Sequence, residues 1–271
     1  MAGKLFQVIL LKGSYNKGKK LSFIGSVTLF NKEVKRFLKV YQQTIVAPAF
    51  TSLLFLLVIN VALEERTTYE LNYIDFLAPG LIVMGMMQNA FANTSSSLLS
   101  SKVAGNIVDL LMPPFKVNEI IIVYCMAAII RASLVGFLTF LMMIPFVNIE
   151  LLNFANLIIF SILGSLLLAL IGLIAGIWAE KFDNMSAITN FVITPLTFLS
   201  GTFYSVDRLK EPFYTISLYN PFYYIIDGFR SSLIYTGSES IINGIVYITA
   251  LNAIMYLICY YILKSGWKLK S

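Results

Sequence analysis

Long apolar stretches recur along this chain and are separated by short polar segments. Each stretch is close to the ~20 residues that a helix needs to cross ~30 Å of hydrocarbon. The pattern therefore predicts an all-α, polytopic membrane protein with six transmembrane helices. The six predicted spans cover residues 44–63, 74–98, 119–145, 153–178, 185–205 and 241–263.

The fifth predicted span differs from the others because polar and helix-breaking residues interrupt it. Pro195, Ser200 and Gly201 fall in its second half. A break of this kind is tolerated at membrane depth only where protein or water satisfies the freed backbone groups. We therefore expect this span to end early and to lead into an outer re-entrant segment between spans five and six.

A shorter amphipathic pattern precedes the first span, over residues 28–43. Its apolar positions recur at helical spacing, and its cations lie on another face. This arrangement predicts an N-terminal interfacial helix, with its cations toward lipid phosphate. A partly buried cytoplasmic helix is the alternative. The apolar face holds Phe30, Val34, Phe37, Leu38 and Tyr41, and the cationic face holds Lys32, Lys35, Arg36 and Lys39.

The second span carries polar side chains at spacings of three and four residues. In hydrocarbon such a stripe must face protein or water, so its members either line a pathway or hydrogen-bond to neighbouring helices. The third span holds one cation, Arg131, which needs a partner or a watery cavity; we favour a structural anchor over a substrate contact. The candidate pathway residues are Asn89, Asn93, Ser96, Ser97 and Arg131.

The fourth span contains Gly172 and Gly176, four residues apart. Small residues at this spacing let two membrane helices approach closely. The pair predicts a close helix contact and leaves open whether the neighbouring helix belongs to the same subunit or to a second one.

Composition and charge agree with a membrane protein. Hydrophobic residues make up 58% of the chain and charged residues 13%, with a mean hydropathy of +0.79, whereas a soluble domain has about 25% charged residues. Of the 20 lysines and arginines, 15 lie on the side of the termini and 4 on the opposite side. Because cytoplasmic segments carry the excess of cations, both termini are predicted to be cytoplasmic. The net charge of +6 is thus a topology signal, and we infer no nucleic-acid partner from it.

Few residues of the chain suit catalysis or metal binding. The sequence has no histidine and two cysteines, Cys125 and Cys259, both within predicted spans. Residues 13–19 match the spacing of a phosphate-binding loop, but Lys20 stands where that loop needs a Ser or Thr hydroxyl for Mg²⁺. A basic tail near anionic lipid explains these residues better. We expect no catalytic, cofactor or metal site in this chain.

Residues 199–230 hold the most specific motif. They read Leu-Ser-Gly-Thr-Phe-Tyr, then an irregular aromatic stretch, then Asn-Pro-Phe-Tyr-Tyr-Ile-Ile-Asp-Gly-Phe-Arg. This passage resembles the ABC-2 family of export permeases, whose fifth helix ends in a small-residue break and whose chain returns through an Asn-Pro turn into a helix with an acid and an arginine. Three residues apart on a helix, these two charges can pair. The candidate outer gate comprises Gly201, Phe203, Tyr204, Asn220, Pro221, Asp227 and Arg230.

The resemblance covers essentially the whole chain and implies one transmembrane domain over residues 1–271. Its parts would be a cytoplasmic tail with the interfacial helix (1–43), six spans (44–263) and a second cytoplasmic tail (264–271). The resemblance also implies a short coupling helix after span two, docked on a nucleotide-binding partner. The candidate coupling residues are Gly105, Ile107, Val108, Asp109, Leu110, Leu111 and Pro113.

By the same resemblance, the chain would be the permease subunit of an ATP-binding cassette exporter in the bacterial inner membrane. It would form a homodimer in membrane lipid, pair with a separate ATPase that holds ATP and Mg²⁺, and move an amphipathic, lipid-like, glycan or drug substrate outward. The end of the motif is closer to the multidrug and lipo-oligosaccharide branch than to the O-antigen branch. A secondary transporter is the alternative, although such a protein needs mid-membrane carboxylates or inverted repeats, which the sequence does not show.

Overall fold

The computed structural model is almost entirely helical. A minimal antiparallel hairpin, Thr67–Thr68 (β1) with Leu71–Asn72 (β2), precedes the second long helix, so the all-α expectation is confirmed apart from this hairpin. The phosphate-loop lookalike at residues 13–19 lies outside the described residues. The structure describes residues 23–62, 67–68, 71–113, 115–234 and 241–268.

The helices are numbered here in chain order. A π-helical turn, Gln42–Val46, leads into the helix Ala47–Ala62, and a second one, Thr189–Ile193, joins the helices Phe182–Ile188 and Thr194–Phe198. The helices are α1 (23–38), α2 (Ala47–Ala62), α3 (Tyr73–Val103), α4 (Ile107–Leu111), α5 (Val117–Met143), α6 (Phe154–Trp178), α7 (Phe182–Ile188), α8 (Thr194–Phe198), α9 (Phe213–Tyr219), α10 (Pro221–Arg230) and α11 (Ile241–Ser265).

Five helices in the described part of the chain are long and apolar enough to cross a membrane: α2 with its π-helical turn, α3, α5, α6 and α11. The stretch predicted as span five, residues 185–205, instead forms α7, the π-helical turn and α8. This broken helix covers residues 182–198, which is about 26 Å at 1.5 Å per residue. It ends at Phe198, three residues before Gly201, which adopts a φ of +75° that glycine tolerates. Six long spans are therefore not confirmed.

The bundle is built around α3, most of whose side chains are buried. A Cβ atom added to Gly172 of α6 would lie 2.2 Å from Thr94 Oγ1 and 2.6 Å from the Phe91 carbonyl oxygen, and one added to Gly176 would lie 2.9 Å from the Ser95 carbonyl oxygen. The absence of side chains at these two positions therefore lets α6 lie directly against α3. The close contact that the glycine spacing predicts is within the subunit.

Helix α1 differs in its bounds and in its buried face from the predicted interfacial helix over 28–43. It covers residues 23–38, and a turn at residues 39–40 separates it from the helical stretch that begins at residue 41. Phe37 is buried in a small cluster with Val135 and Ile45, as the apolar face predicts. Leu38 and Tyr41 are exposed, so the buried face is narrower than expected.

The bundle has two ends. We call the end that carries the β1–β2 hairpin the outer end and the end that carries α4 the inner end. At the inner end, Lys102 donates from Nζ to the carbonyl oxygens of Ile177 and Ala179, both at 2.6 Å, and so caps the C-terminus of α6. Lys268 binds Glu180 at 2.9 Å, and this ammonium holds the pKa of the Glu180 carboxyl below its ordinary value.

After α8, residues 199–234 fold back onto the outer end of the bundle. Phe222, Ile225, Ile226 and Phe229 of α10 are buried, and α10 packs between α3 and α6. Gly228 allows this packing because a Cβ atom there would lie 2.2 Å from the Phe160 ring. The chain thus turns back at Gly201 and returns into the protein through α10.

Candidate functional site

Two arginines reach the polar stripe of α3 from neighbouring helices. Arg36 of α1 donates from Nη2 to the Asn93 carbonyl oxygen (2.9 Å) and to Asn93 Oδ1 (3.0 Å), and from Nη1 to Ser96 Oγ (3.4 Å). Arg131 of α5 donates from Nη2 to Asn89 Oδ1 at 2.9 Å. Asn89 and Asn93 are one helical turn apart, so the stripe binds two of the protein's own cations.

Glu33 of α1 balances the charge of Arg36. Its side chain is 1% exposed, its Oε2 accepts a hydrogen bond from Ser97 Oγ at 2.7 Å, and it pairs with Arg36 Nε at 3.2 Å. A buried carboxylate is tolerated only when it is paired and hydrogen-bonded in this way. Sequence reasoning missed Glu33, although its position three residues before Arg36 is a helical pairing signal.

This network corrects the predicted cationic face of α1. Arg36 was expected to point toward lipid phosphate with Lys32, Lys35 and Lys39. It turns instead toward α3, because the amide and carbonyl of Asn93 and the carboxylate of Glu33 satisfy a guanidinium. The remaining three lysines are exposed.

A groove runs along α3 between α2 and the broken helix α7–α8. It consists of three adjoining cavities, of about 510 Å³ at the inner end, about 360 Å³ in the middle and about 610 Å³ at the outer end. The inner and middle cavities share Pro48, Gln88 and Asn89, and the middle and outer cavities share Phe55, Phe198 and Phe203.

The chemistry of the groove changes along its length. Amide and hydroxyl side chains are concentrated at the inner end, whereas the outer end is lined almost entirely by aromatic and aliphatic side chains. Of the predicted pathway residues, Asn89 and Ser96 line the inner end. The inner lining includes Gln88, Asn89, Ser96, Ser186, Asn190 and Thr194, and the outer lining includes Phe55, Ile59, Tyr73, Phe198, Phe203 and Tyr204.

Arg230 fastens the outer segment to the start of α3. It is 4% exposed, donates from Nε to the Phe76 carbonyl oxygen (3.1 Å) and from Nη2 to the Gly201 carbonyl oxygen (2.8 Å), and lies 3.8 Å above the Phe76 ring. Asp227 and Arg230 both line a small outer cavity of about 30 Å³ with Gly201 and Tyr204. Their pairing with each other stays a prediction.

The Asn-Pro turn is held at both of its sides. Asn220 accepts a hydrogen bond from the Phe222 amide (3.0 Å) and so caps α10, in which Pro221 occupies the first turn. Its Nδ2 donates to the Leu196 carbonyl oxygen of α8 at 2.7 Å. Of the seven predicted gate residues, the structure thus gathers four around the small outer cavity, places Phe203 in the outer cavity of the groove, and uses Asn220 and Pro221 for the turn beside α8.

The coupling segment, residues 105–113, lies at the inner end and contains α4. Ile107 and Leu110 are buried in the core at 8% and 6% exposure, whereas Val108 and Met112 are 51% and 78% exposed. The expectation that Ile107 and Leu110 face a partner is therefore corrected: a five-residue helix against the bundle must turn one face inward. Asp109 and Gly105 are exposed, Pro113 is partly exposed, and the side chain of Leu111 lies outside what the structure describes.

Comparison with known proteins decides the family. Residues 26–234 match the family described as ABC-2 type transporter. The chain belongs to the ABC-2 type transporter family. The match extends from α1 to the end of the α10 segment and includes the groove, the coupling segment and the gate, so the resemblance drawn from residues 199–230 is confirmed. As an ABC-2 protein, the chain is the membrane component of an ABC transporter.

Two curated relatives cover nearly the whole ABC-2 chain. Both are described as "Inner membrane transport permease YadH", one from Escherichia coli (strain K12) and one from Shigella flexneri. Each is 30% identical over 253 residues, which is 93% of this chain and 99% of the relative. The similarity therefore concerns the entire permease and not one motif.

Proposed function

We propose that this chain is the permease subunit of an ATP-driven exporter that moves an amphipathic substrate outward along the groove beside α3. The observation that carries the proposal is the groove itself, which extends from the polar inner end to the apolar outer end. The end of α8 and the residues that follow it, up to Tyr204, border its outer end. Ser96, which receives a hydrogen bond from Arg36, places α1 beside its inner end.

A separate ATPase supplies the energy in this proposal. The coupling segment exposes Val108 and Met112 at the inner end, and exposed apolar side chains next to a family-specific loop suit a protein partner. ATP and Mg²⁺ would bind the ATPase. Because α4 follows directly on the C-terminus of α3, a displacement of α4 by the ATPase would be transmitted to α3, which lines the groove.

A second copy of the chain would complete the transporter. The groove opens between α2 and α7–α8, which expose Val58, Val61 and Phe191 at 67%, 73% and 82%. In a homodimer that packs these helices together, the second copy would cover the open side of the groove. The names of the relatives support a place in the bacterial inner membrane, and the distribution of lysine and arginine supports cytoplasmic termini.

The polar stripe divides between two roles. Asn89 and Ser96 line the groove and can contact substrate. Asn93 and Ser97 hold α1 through Arg36 and Glu33. Arg131 anchors α5 to Asn89, in agreement with the structural role that we favour for it. A secondary transporter would need a titratable carboxylate in the path, and the described lining of the groove holds none.

Cysteine accessibility tests the proposal without knowledge of the substrate. In a background with Cys125→Ala and Cys259→Ala, Asn190→Cys would probe the inner end and Ser52→Cys the middle of the groove. With the co-expressed ATPase, we expect a membrane-impermeant maleimide to label Asn190→Cys from the cytoplasmic side without ATP and Ser52→Cys from the outside with ATP and vanadate.

The matched control is Ile258→Cys, an exposed position on α11 away from the groove, which should stay unlabelled in lipid. Equal labelling of Ser52→Cys with and without ATP would contradict an ATP-driven path. Labelling that responds to an ion gradient and not to ATP would favour the secondary transporter.

A further inference from the structure

The lining of the groove carries hydrogen-bonding groups without charge. Asp, Glu, Lys and Arg are missing from the described lining of all three cavities. At the inner end, the amides of Gln88 and Asn190 and the hydroxyls of Ser186 and Thr194 can take part in hydrogen bonds with a ligand. The two nearby cations are bound to side chains of the protein itself: Arg36 is paired with Glu33 and donates to Ser96, and Arg131 donates to Asn89.

This lining matches one kind of ligand better than others. Moving a charged headgroup out of water without an opposite charge to meet it costs several kcal/mol. Hydroxyl groups, in contrast, can replace their hydrogen bonds to water with hydrogen bonds to amides and hydroxyls. The apolar outer lining, from Phe55 to Phe203, suits hydrocarbon chains.

We infer that the groove binds a lipid whose headgroup is rich in hydroxyl groups and uncharged, such as a glycosyl lipid. The headgroup lies at the inner end among the amides, and the acyl chains extend toward Phe55 and Phe198. This polarity is that of a lipid in the inner leaflet, with its headgroup toward the cytoplasm. The inference rests on the proposed function, because it takes the groove as the route of the substrate.

Lipid retention tests the inference on the purified full-length chain. The chain is reconstituted with an equimolar mixture of three lipids that share dioleoyl chains: a monoglucosyl diacylglycerol, phosphatidic acid and a trimethylammonium lipid. Lipids that stay bound after delipidation are counted by mass spectrometry. We expect about fivefold enrichment of the glucosyl lipid over either charged lipid, since selectivity is a difference of affinities.

Charge substitutions in the groove make the test specific. Asn190→Lys should shift retention toward phosphatidic acid by about tenfold, which corresponds to ~1.4 kcal/mol, and Asn190→Asp should shift it toward the cationic lipid. Asn184→Lys is the matched control, because Asn184 lies in the same broken helix and does not line the groove; it should leave the ratios unchanged.

Several results would overturn the inference. Enrichment of phosphatidic acid by the unchanged chain would show that Arg131 recruits an anion through the lining. Equal retention of all three lipids would show that the groove has no headgroup selectivity or is filled by a second copy of the chain. Equal shifts for Asn190→Lys and Asn184→Lys would place the lipid elsewhere. Retention needs no ATPase, so glucosyl enrichment together with ATP-independent cysteine labelling would refute the proposed export and leave the binding site standing.

Discussion

At the scale of single residues, the contact between α1 and α3 depends on a charged pair that is largely enclosed. Glu33 is 1% exposed, while the Arg36 side chain is 32% exposed. Solvent therefore partly screens the attraction between the two charges. The contribution of the pair to stability comes mainly from the hydrogen bonds to Asn93, Ser96 and Ser97.

Arg36→Ala tests this contact. We expect a loss of about 1–3 kcal/mol in stability, because hydrogen bonds to charged groups are lost and the Glu33 carboxylate is left buried without its cation. Thermal unfolding in detergent measures it. Lys35→Ala, an exposed change on the same helix, is the control and should stay within about 0.5 kcal/mol of the unchanged chain.

The double variant with Glu33→Gln and Arg36→Ala sharpens this prediction. A neutral amide needs no cation, so the double variant should recover part of the stability that Arg36→Ala loses. Additive losses in the two single variants would mean that the pair contributes nothing beyond its separate contacts.

At the scale of elements, α4 is amphipathic over a single turn and a half. Ile107 and Leu110 belong to the core, and Val108 with the following Met112 is exposed. One face of this short helix thus packs in the core, and the other face is available to contact the ATPase that the family implies.

Aspartate substitutions separate these two faces. Val108→Asp combined with Met112→Asp should abolish co-purification of the ATPase and leave the yield and thermal unfolding of the chain unchanged, because both side chains are solvent-exposed. Leu110→Asp should lower the yield of folded chain, since it buries an unpaired carboxylate. Normal ATPase recovery with the double variant would remove α4 from the interface.

The broken helix α7–α8 is the second element with a clear consequence. Its π-helical turn, Thr189–Ile193, carries Asn190 and Ile193 into the groove lining. This turn therefore contributes both a polar and an apolar side chain to the lining of the groove.

At the scale of the whole molecule, we expect the distribution of charge to set the orientation in the membrane. The inner end, where α4 and Lys102 lie, corresponds to the side with the excess of lysine and arginine. The broken helix α7–α8 still connects the inner end to the outer end. Counted from α2 to α11 inclusive, the chain therefore passes from one end of the bundle to the other an even number of times.

Reporter fusions check this orientation. A phosphatase or fluorescent reporter fused after Lys270 should report a cytoplasmic position, and one inserted within residues 64–70 should report an external position, because cations are retained on the cytoplasmic side. A fusion between α5 and α6, at Ile149, should behave like the second reporter. Like signals from the first two would overturn the even number of crossings.

The sequence by itself determined the positions of the long helices, the expected orientation and the family of the protein. Apolar length fixed where the long helices lie, lysine and arginine predicted the orientation, and residues 199–230 identified the ABC-2 family. Gly201 and Pro221 located the outer turn because glycine allows a positive φ and proline fixes its own φ, whatever packs around them.

Only the tertiary structure decided which face of each helix meets which neighbour. Helical periodicity placed Arg36 on a polar face. A guanidinium can bind either a lipid phosphate or the Asn93 amide, and the spacing of residues in the sequence does not distinguish these two partners. Likewise, apolar residues of α4 look alike whether they pack inward, as Leu110 does, or outward, as Val108 does. The partner of Gly172 and the groove between α2 and α8 depend on contacts between residues far apart in the chain, and local spacing carries no information about those contacts.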